Sequence, residues 1–267
     1  ATETFTYNSL SQLTDDNGRS AAYDSLHRRL SYQGEKATHN SRHQLLTHGS
    51  KSFTYDTDGR RTSDGHYTYT YDALDRLTSI SDGSQTTTYT YDPFNRRLTS
   101  TTGLSQEFFL YQGDNEIGTL DFIRILGEGL GAEIGAAIAY EDGVFTYVPI
   151  HDLSGHVRTV LCQGMLEEEL DYTATGLSNR QPQTPSSATT PWTFASKRHD
   201  PTGLIYFGQR YYDQETSTWL TPDPVGYTAG PNLYAYVRNN PLTLIDLYGL
   251  VAFPGDDPMD FARINQG

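Results

Sequence analysis

The chain has 267 residues, a formal net charge of −14, 24 glycines, 12 prolines and one cysteine. The acidic charge and the lack of a basic stripe disfavour a nucleic-acid partner and an anionic membrane surface. A single cysteine, Cys162, excludes an internal disulfide framework. The many glycines and prolines predict frequent turns, and therefore short strands rather than long helices.

The sequence also lacks segments that would take the chain into or through a membrane. The most apolar stretch, residues 117–140, contains Asp121, Arg124, Glu128 and Glu133, which excludes a membrane-spanning helix. The first residues show neither the basic region nor the apolar region of a secretory signal. The absence of an initiator methionine favours a processed product or a piece of a longer polypeptide.

A repeat governs the first hundred residues. Its steps are 16 residues up to Tyr71 and 20 residues to the last unit. This period is too short for a helical hairpin and suits one strand, one turn and one returning strand. The repeat is marked by the pairs Tyr23-Asp24, Tyr55-Asp56, Tyr71-Asp72 and Tyr91-Asp92, with Tyr7-Asn8 and His39-Asn40 as variants in phase.

The segments that precede these pairs are typical of strands. Residues 67–71 alternate strictly between tyrosine and threonine, so we expect tyrosines on one face and threonines on the other. The aspartate after each tyrosine is expected to close a turn, because its side chain accepts from the backbone N–H two residues on. The predicted fold is all-β, a repetitive antiparallel β-hairpin sheet whose units pack against their neighbours.

The pattern Tyr-Asp-x-x-x-Arg-Leu-Thr, seen at residues 71–78, resembles the YD repeat of the Rhs family, which also occurs in teneurins and in the C components of Tc toxins. The resemblance covers nearly the whole chain and implies a sheet that curves into a whole or partial hollow shell. It implies YD repeats at 1–103, a continuation of the β shell at 104–191 with an exposed loop at 176–191, the Rhs repeat-associated core at 192–250, and the start of a variable C-terminal (cargo) segment at 251–267.

Two aspartates near the end of the chain are candidates for acid-catalysed peptide cleavage. One carboxyl group can take a proton from water while another donates one, and two close carboxyl groups share a proton because both cannot ionise. Asp223 lies between two prolines, and Asp246 lies four residues before Leu250. In the Rhs family the matching aspartates are implicated in autoproteolysis after the terminal leucine, which implies cleavage of the Leu250–Val251 bond here. From the residues alone, both aspartates also suit ordinary turns.

The chain departs from the family pattern close to these aspartates. Leu247 replaces a proline that is common in the motif, and Ser-Thr at residues 217–218 replaces a usual Gly-Arg. Arg210 is a supporting candidate, because an arginine near the pair would keep one carboxylate ionised or bind an oxyanion. The alternative for Arg210 is an ion pair with Asp213 or Glu215.

A second stretch, residues 151–156, contains histidine, aspartate and serine within six positions. A catalytic triad needs three groups that converge from separate elements, so this stretch is expected to be a β-turn in the shell. No spacing in the chain predicts a metal site, and no cofactor is expected.

The resemblance implies the C-terminal part of an Rhs-type toxin-encapsulating shell, which cuts itself in one turnover after Leu250 and releases a C-terminal effector. Its partners would be its own effector segment, other parts of a longer Rhs polypeptide and delivery-system proteins. The protein would be secreted, delivered by a bacterial secretion system or displayed on a cell surface. The alternative is a non-cleaving structural or adhesive YD shell, as in teneurins. The periodicity of the tyrosines favours packing in the core of the sheet. Because aromatic faces also stack on sugar rings, carbohydrate binding is a third possibility.

Overall fold

The computed structural model describes residues 3–182, 190–250 and 252–254. Nearly every regular element in this part of the chain is a short antiparallel strand, and the only helical elements are three short 3₁₀ turns. None of the described helical segments has the length and apolarity needed to span a bilayer. The all-β prediction is therefore confirmed.

Three successive meanders, in which each strand pairs with the next, occupy most of the chain. The first sheet comprises β1 (Phe5–Tyr7), β2 (Leu13–Asp16), β3 (Arg19–Tyr23), β4 (Arg29–Tyr32), β5 (Glu35–His39), β6 (Leu45–His48) and β7 (Lys51–Ser52). The second comprises β8 (Thr54–Tyr55), β9 (Arg61–Ser63), β10 (Thr68–Tyr71), β11 (Leu77–Ser81), β12 (Thr86–Tyr91), β13 (Arg97–Thr102) and β14 (Ser105–Phe108). The third comprises β15 (Leu110–Gln112), β16 (Asn115–Gly118), β17 (Ile123–Leu126), β18 (Ala137–Glu141), β19 (Thr146–His151), β20 (Val157–Cys162), β21 (Met165–Tyr172) and β22 (Ser178–Pro182).

Residues 192–250, called the terminal segment below, have shorter elements and more turns. A four-stranded sheet is followed by a two-stranded one, in which the last strand is formed by residues beyond the segment. The elements are η1 (Phe194–Ser196), β23 (Arg198–His199), β24 (Leu204–Tyr206), β25 (Tyr211–Asp213), β26 (Thr218–Trp219), η2 (Gly226–Ala229), η3 (Tyr236–Asn239), β27 (Leu244–Asp246) and β28 (Ala252–Pro254). Of the predicted exposed loop at 176–191, residues 183–189 lie outside the described residues.

The aspartate of each repeat organises the turn that follows it. The Oδ1 atom of Asp72 accepts hydrogen bonds from the backbone N–H of Leu74 at 2.9 Å and of Arg76 at 3.1 Å. The Oδ2 atom of Asp72 accepts from Arg76 Nε at 2.7 Å. This confirms the predicted Asx-type turn and explains the arginine four residues after the aspartate. The same contacts recur at Asp24–Arg28, Asp56–Arg60 and Asp92–Arg96.

That arginine and the tyrosine of the following repeat join neighbouring units. Arg76 donates from Nη1 to the carbonyl of Asp92 at 3.1 Å, and its guanidinium lies 5.0 Å from the centroid of the Tyr91 ring. The Tyr91 hydroxyl donates back to the carbonyl of Leu77 at 2.7 Å. Cation–π contact and two hydrogen bonds therefore connect each turn to the next. Equivalent contacts connect Arg60 with Tyr71 and Arg96 with Tyr111.

The two variant repeats keep the turn with neutral side chains. Asn8 and Asn40 stand where the other units have aspartate, and Gln12 and Gln44 stand where those units have arginine. In each case the asparagine Nδ2 donates to the glutamine Oε1 at 2.5 Å, while its Oδ1 accepts from two backbone N–H groups. The charged pair has thus been replaced by an amide pair of the same geometry.

All three sheets pack onto the terminal segment. In the second sheet, Tyr69 and Tyr89 are buried against Tyr206 and Tyr211. The third sheet packs around the fully buried Trp192, and Arg29 of the first sheet donates to the carbonyl of Thr216 and to Ser217 Oγ. The tyrosine face of residues 67–71 therefore lies inward and the exposed threonines lie outward, as the alternation predicts. The terminal segment therefore contacts all three sheets.

Candidate functional site

Asp223 occupies a turn at the surface of the terminal segment, after β26. The flanking Pro222 and Pro224 restrict the backbone there. The Oδ1 atom of Asp223 accepts from the N–H of Val225 at 3.0 Å, and its carbonyl accepts from the N–H of Gly226 at 3.0 Å. One carboxylate oxygen thus closes an Asx turn, as the turn interpretation expects. The other, Oδ2, is directed to a different part of the molecule.

Asp246 ends strand β27 and is 2% exposed. Its Oδ1 atom accepts from the N–H of Gly249 at 2.7 Å and from the N–H of Leu250 at 2.9 Å. Gly249 has a φ of 78°, and a Cβ atom there would lie 3.2 Å from the backbone nitrogen of Arg210. Glycine is required here by both the backbone conformation and the close approach. Asp246 therefore holds the two residues that precede the expected cleavage point.

Arg210 lies between the two aspartates. Its Nη2 atom is 2.8 Å from Asp223 Oδ2 and 3.6 Å from Asp246 Oδ2. Its Nε donates to the carbonyl of Gly249, and its guanidinium carbon lies 4.3 Å from the Trp219 ring centroid. The arginine is 3% exposed, so these contacts form in a desolvated site where electrostatic interactions are strong.

The alternative partners of Arg210 have arginine and lysine partners of their own. Asp213 accepts from Arg61 Nη1 at 2.7 Å, and Glu215 pairs with Lys51 at 2.5 Å. The expectation of an ion pair between Arg210 and either of these acids is therefore wrong. The physical reason is that the first and second sheets pack against the terminal segment, which brings Lys51 and Arg61 to these two acids.

The structure brings Asp223, Asp246 and Arg210 into one cluster. Because both aspartates contact the same arginine nitrogen, their Oδ2 atoms are at most about 6.4 Å apart, the sum of the two distances. This upper bound is longer than the direct contact of about 3 Å through which two carboxyl groups share a proton. The arrangement is an aspartate–arginine–aspartate cluster rather than a bare pair of carboxyl groups.

Burial dominates the electrostatics of this cluster. Removal from water raises the pKa of Asp246 to about 6, with a further increase from the nearby Asp223, while Arg210 and the backbone N–H donors act in the opposite direction. Burial also raises the pKa of Asp223, against the effect of the ion pair with Arg210. Burial lowers the pKa of the Arg210 guanidinium. Burial therefore favours the protonated form of each aspartate, which is the form that a general acid needs.

Leu247, which replaces the proline of the family motif, is a core residue. It is 2% exposed and belongs to the main hydrophobic cluster of the terminal segment. A Cβ added at Gly131 would lie 3.7 Å from Leu247 Cδ1, so the loop around residues 127–135 packs against it. The carbonyl of the next residue, Tyr248, accepts from the N–H of Gln209 at 3.0 Å. The packing of Leu247 and the hydrogen bond to Tyr248 therefore restrain the backbone at residues 247–248. In the family motif a proline ring would restrain the same backbone.

The expected scissile bond follows these residues directly. Leu250 is partly buried and held through its N–H, whereas Val251 lies outside the described residues. The described residues on the far side, Ala252–Pro254, form β28 and pair with β27.

Residues 151–156 form the expected turn. Asp152 Oδ1 accepts from the N–H of Ser154 at 3.0 Å and of His156 at 2.9 Å, as the repeat aspartates do. His156 accepts from the N–H of Ala195 at 2.9 Å, and burial lowers its pKa to about 4. A neutral histidine that serves as an acceptor in a packed turn is a structural residue.

A buried charge network beside the site was missed by reasoning from the sequence. Lys197 is 1% exposed and donates from Nζ to the carbonyl of Ala132 at 2.7 Å and to Glu133 Oε1 at 2.9 Å. Arg124 lies 3.3 Å from the same Glu133 oxygen. Lys197 Nζ is also 5.5 Å from the Tyr248 ring centroid, so the network supports the back of the 246–250 turn. The glycine-rich surroundings of Glu133 carry no local signal of this role.

The short antiparallel strands of the YD repeats, packed against the terminal segment, have the fold of an Rhs-type shell. The family model described as RHS Repeat matches residues 71–106. Over 57 residues the chain is 49% identical to toxin subunit YenC2 of Yersinia entomophaga, covering 21% of this chain and 6% of that protein. Over 169 residues it is 31% identical to toxin subunit YenC1 of the same organism, covering 58% of this chain and 17% of that protein. Residues 71–106 therefore match the RHS repeat, and parts of the chain are similar in sequence to these toxin subunits.

Solved structures support the same fold. The Photorhabdus luminescens Tc holotoxin pore superimposes with a TM-score of 0.68 at 20% identity, covering 96% of this chain and 15% of the matched chain. The present chain thus corresponds to a small part of the relatives it matches.

Proposed function

We propose that this chain is the C-terminal part of an Rhs-type toxin-encapsulating shell and that it hydrolyses its own Leu250–Val251 bond, freeing the segment that follows as an effector. The observation that carries the proposal is the position of Arg210, which contacts both Asp223 and Asp246 while Asp246 holds the backbone of Leu250. Two relatives named as toxin subunits, YenC1 and YenC2, support a role in a toxin.

The chemistry is addition of water to the Leu250 carbonyl carbon. One carboxylate removes a proton from the water, the new carbon–oxygen bond forms, and the carbonyl oxygen takes up negative charge. Collapse of this intermediate breaks the carbon–nitrogen bond, and the second carboxyl group protonates the leaving nitrogen of Val251. The products are a carboxylate at Leu250 and an amine at Val251. No metal or cofactor takes part in these steps.

The contacts favour different roles for the two aspartates. Asp223 Oδ2 forms the shorter contact with Arg210, which favours its ionised form and suits it to activate water. Asp246 has its pKa raised to about 6 by burial, which suits it to donate a proton. Because the pair is coupled through one arginine, the two protonation steps belong to the pair as a whole.

Arg210 supplies both position and charge. Through Nε it holds the carbonyl of Gly249, and Asp246 holds the N–H of Leu250, so the peptide before the scissile bond is fixed on both sides. Holding the reacting bond beside its catalytic groups lowers the entropic part of the barrier. The positive charge of the guanidinium would also stabilise negative charge that develops on the Leu250 carbonyl oxygen.

Mass spectrometry of freshly prepared protein tests this proposal. The unmutated chain is expected to yield a fragment that ends at Leu250, and Asp223→Asn and Asp246→Asn are expected to remain intact. Asp152→Asn is the matched control, because asparagine keeps the same turn contacts at a site away from the cluster. An unmutated chain that stays intact under native conditions contradicts self-cleavage and favours the non-cleaving structural shell.

A further inference from the structure

The two sides of the expected cleavage point are held in different ways. On the side of Leu250, the contacts come from side chains, namely the carboxylate of Asp246 and the guanidinium of Arg210. On the far side, Ala252–Pro254 pair antiparallel with Leu244–Asp246. The register places Asp246 opposite residue 252, so the catalytic candidate and the first described residue after the bond are direct neighbours across the ladder.

Strand β27 is a rigid template for this pairing. Ile245 is 6% exposed and belongs to the main core cluster, while Asp246 is fixed by the hydrogen bonds described above. Antiparallel pairing uses main-chain N–H and C=O groups, and in peptide recognition by strand addition these groups provide the affinity. The described strand ends at Pro254, which has no N–H to contribute.

We propose that the chain positions the leaving side of the Leu250–Val251 bond by backbone pairing of residues 252–254 with β27, so that this segment is recognised as an extended strand and not by its side-chain identity. This inference rests on the proposed self-cleavage. It assigns the substrate specificity of the site beyond the bond, where residues 252 and 253 can carry any side chain as long as they keep their N–H groups. Proline at residue 252 or 253, unlike the native Pro254 at the end of the strand, is the exception, because it removes an N–H group within the strand and restricts the preceding residue.

The test compares two double variants at the same positions. Ala252→Pro/Phe253→Pro removes both N–H groups, and Ala252→Ser/Phe253→Thr changes both side chains while keeping them. Cleavage is followed by denaturing gel and intact mass from the moment of refolding. We expect the proline variant to be cleaved at least about tenfold more slowly, since alignment of the bond is lost, and the serine/threonine variant to be cleaved at the unmutated rate within about twofold.

A second measurement separates positioning from folding. Thermal melting of all variants, made in the Asp246→Asn background, should be unchanged, while hydrogen exchange of the β27 amides should increase in the proline variant alone. Cleavage of the proline variant at the unmutated rate overturns the inference and leaves self-cleavage standing. Slow cleavage of the serine/threonine variant also overturns it, because side chains would then be recognised. An unmutated chain that is not cleaved overturns the proposed function itself, and the inference with it.

Discussion

Arg97 provides the sharpest test of how the sheets are attached to the terminal segment. It is 1% exposed and donates from Nη1 to Asp200 Oδ2 at 2.6 Å, from Nη2 to Asp200 Oδ1 at 3.0 Å, and from Nη1 to the Tyr211 hydroxyl at 2.9 Å. Asp200 is 4% exposed. In Arg97→Met this carboxylate stays buried but loses the cation that pairs with it. Breaking a buried ion pair on one side costs about 3–5 kcal/mol, because it leaves an uncompensated charge.

The adjacent Arg96 is the matched control. It also pairs with an aspartate, Asp92 at 2.7 Å, but its side chain is 30% exposed. A solvent-accessible ion pair contributes about 0–1 kcal/mol, so Arg96→Met should cost far less than Arg97→Met. The two neighbouring arginines are thus predicted to differ in their contribution to the unfolding free energy, because Arg96 faces solvent and Arg97 faces the terminal segment.

Urea unfolding followed by tryptophan fluorescence measures both effects, since Trp192 and Trp219 are buried in the regions concerned. The Asp246→Asn background keeps the chain in one piece. The Arg97→Met midpoint should fall with little change in slope, and Asp200→Leu combined with Arg97→Met should recover a large part of the loss. Equal destabilisation by Arg96→Met and Arg97→Met would refute the assignment of Arg97 as a buried anchor.

Four further predictions concern the cleavage cluster. Because burial raises the pKa of Asp246 to about 6, the acid form of Asp246 is lost above that pH. The cleavage rate, followed by gel, should therefore fall about tenfold per pH unit above pH 6. A rate that keeps rising to about pH 8 contradicts the acid role. Because of the same raised pKa, the folded state binds the Asp246 proton more tightly than the unfolded state does. The unfolding free energy should therefore decrease as the pH rises from about 4 to 6. Urea titrations at several pH values should show a smaller decrease in Asp246→Asn. Gly249→Ala places a Cβ 3.2 Å from the Arg210 backbone at a φ of 78° and should cost about 1–3 kcal/mol and slow cleavage, whereas normal processing would show that the turn relaxes. Arg210→Lys keeps the charge but not the forked geometry, so cleavage should be at least about tenfold slower by intact mass, and an unchanged rate would show that charge alone suffices.

The local part of the fold was predictable from the sequence because its causes are local. Asp72 captures N–H groups two and four residues away, and Tyr69 alternates with threonines along a single strand. Such contacts follow from spacing and side-chain chemistry alone. The ion pair between each aspartate and the arginine four residues later is a local contact of the same kind.

The packing of the sheets against the terminal segment depends on contacts between distant parts of the chain. Arg97 meets Asp200 across 103 positions, and Arg61 meets Asp213 across 152, which is why Arg210 was free for another role. No periodicity in the sequence marks these pairs. The convergence of Asp223 and Asp246 was expected from the family resemblance, and Arg210 was a supporting candidate near them. That Arg210 contacts both aspartates, and not Asp213 or Glu215, follows only from the three-dimensional packing.

Cleavage in water enriched in heavy oxygen tests the central claim most directly. The chain is refolded in labelled water, and the masses of both fragments are measured, with Asp223→Asn and Asp246→Asn as controls. The account predicts one labelled oxygen on the fragment that ends at Leu250, none on the fragment that begins at Val251, and no fragments from either variant. An intact unmutated chain, or a cut at any other bond, would contradict it.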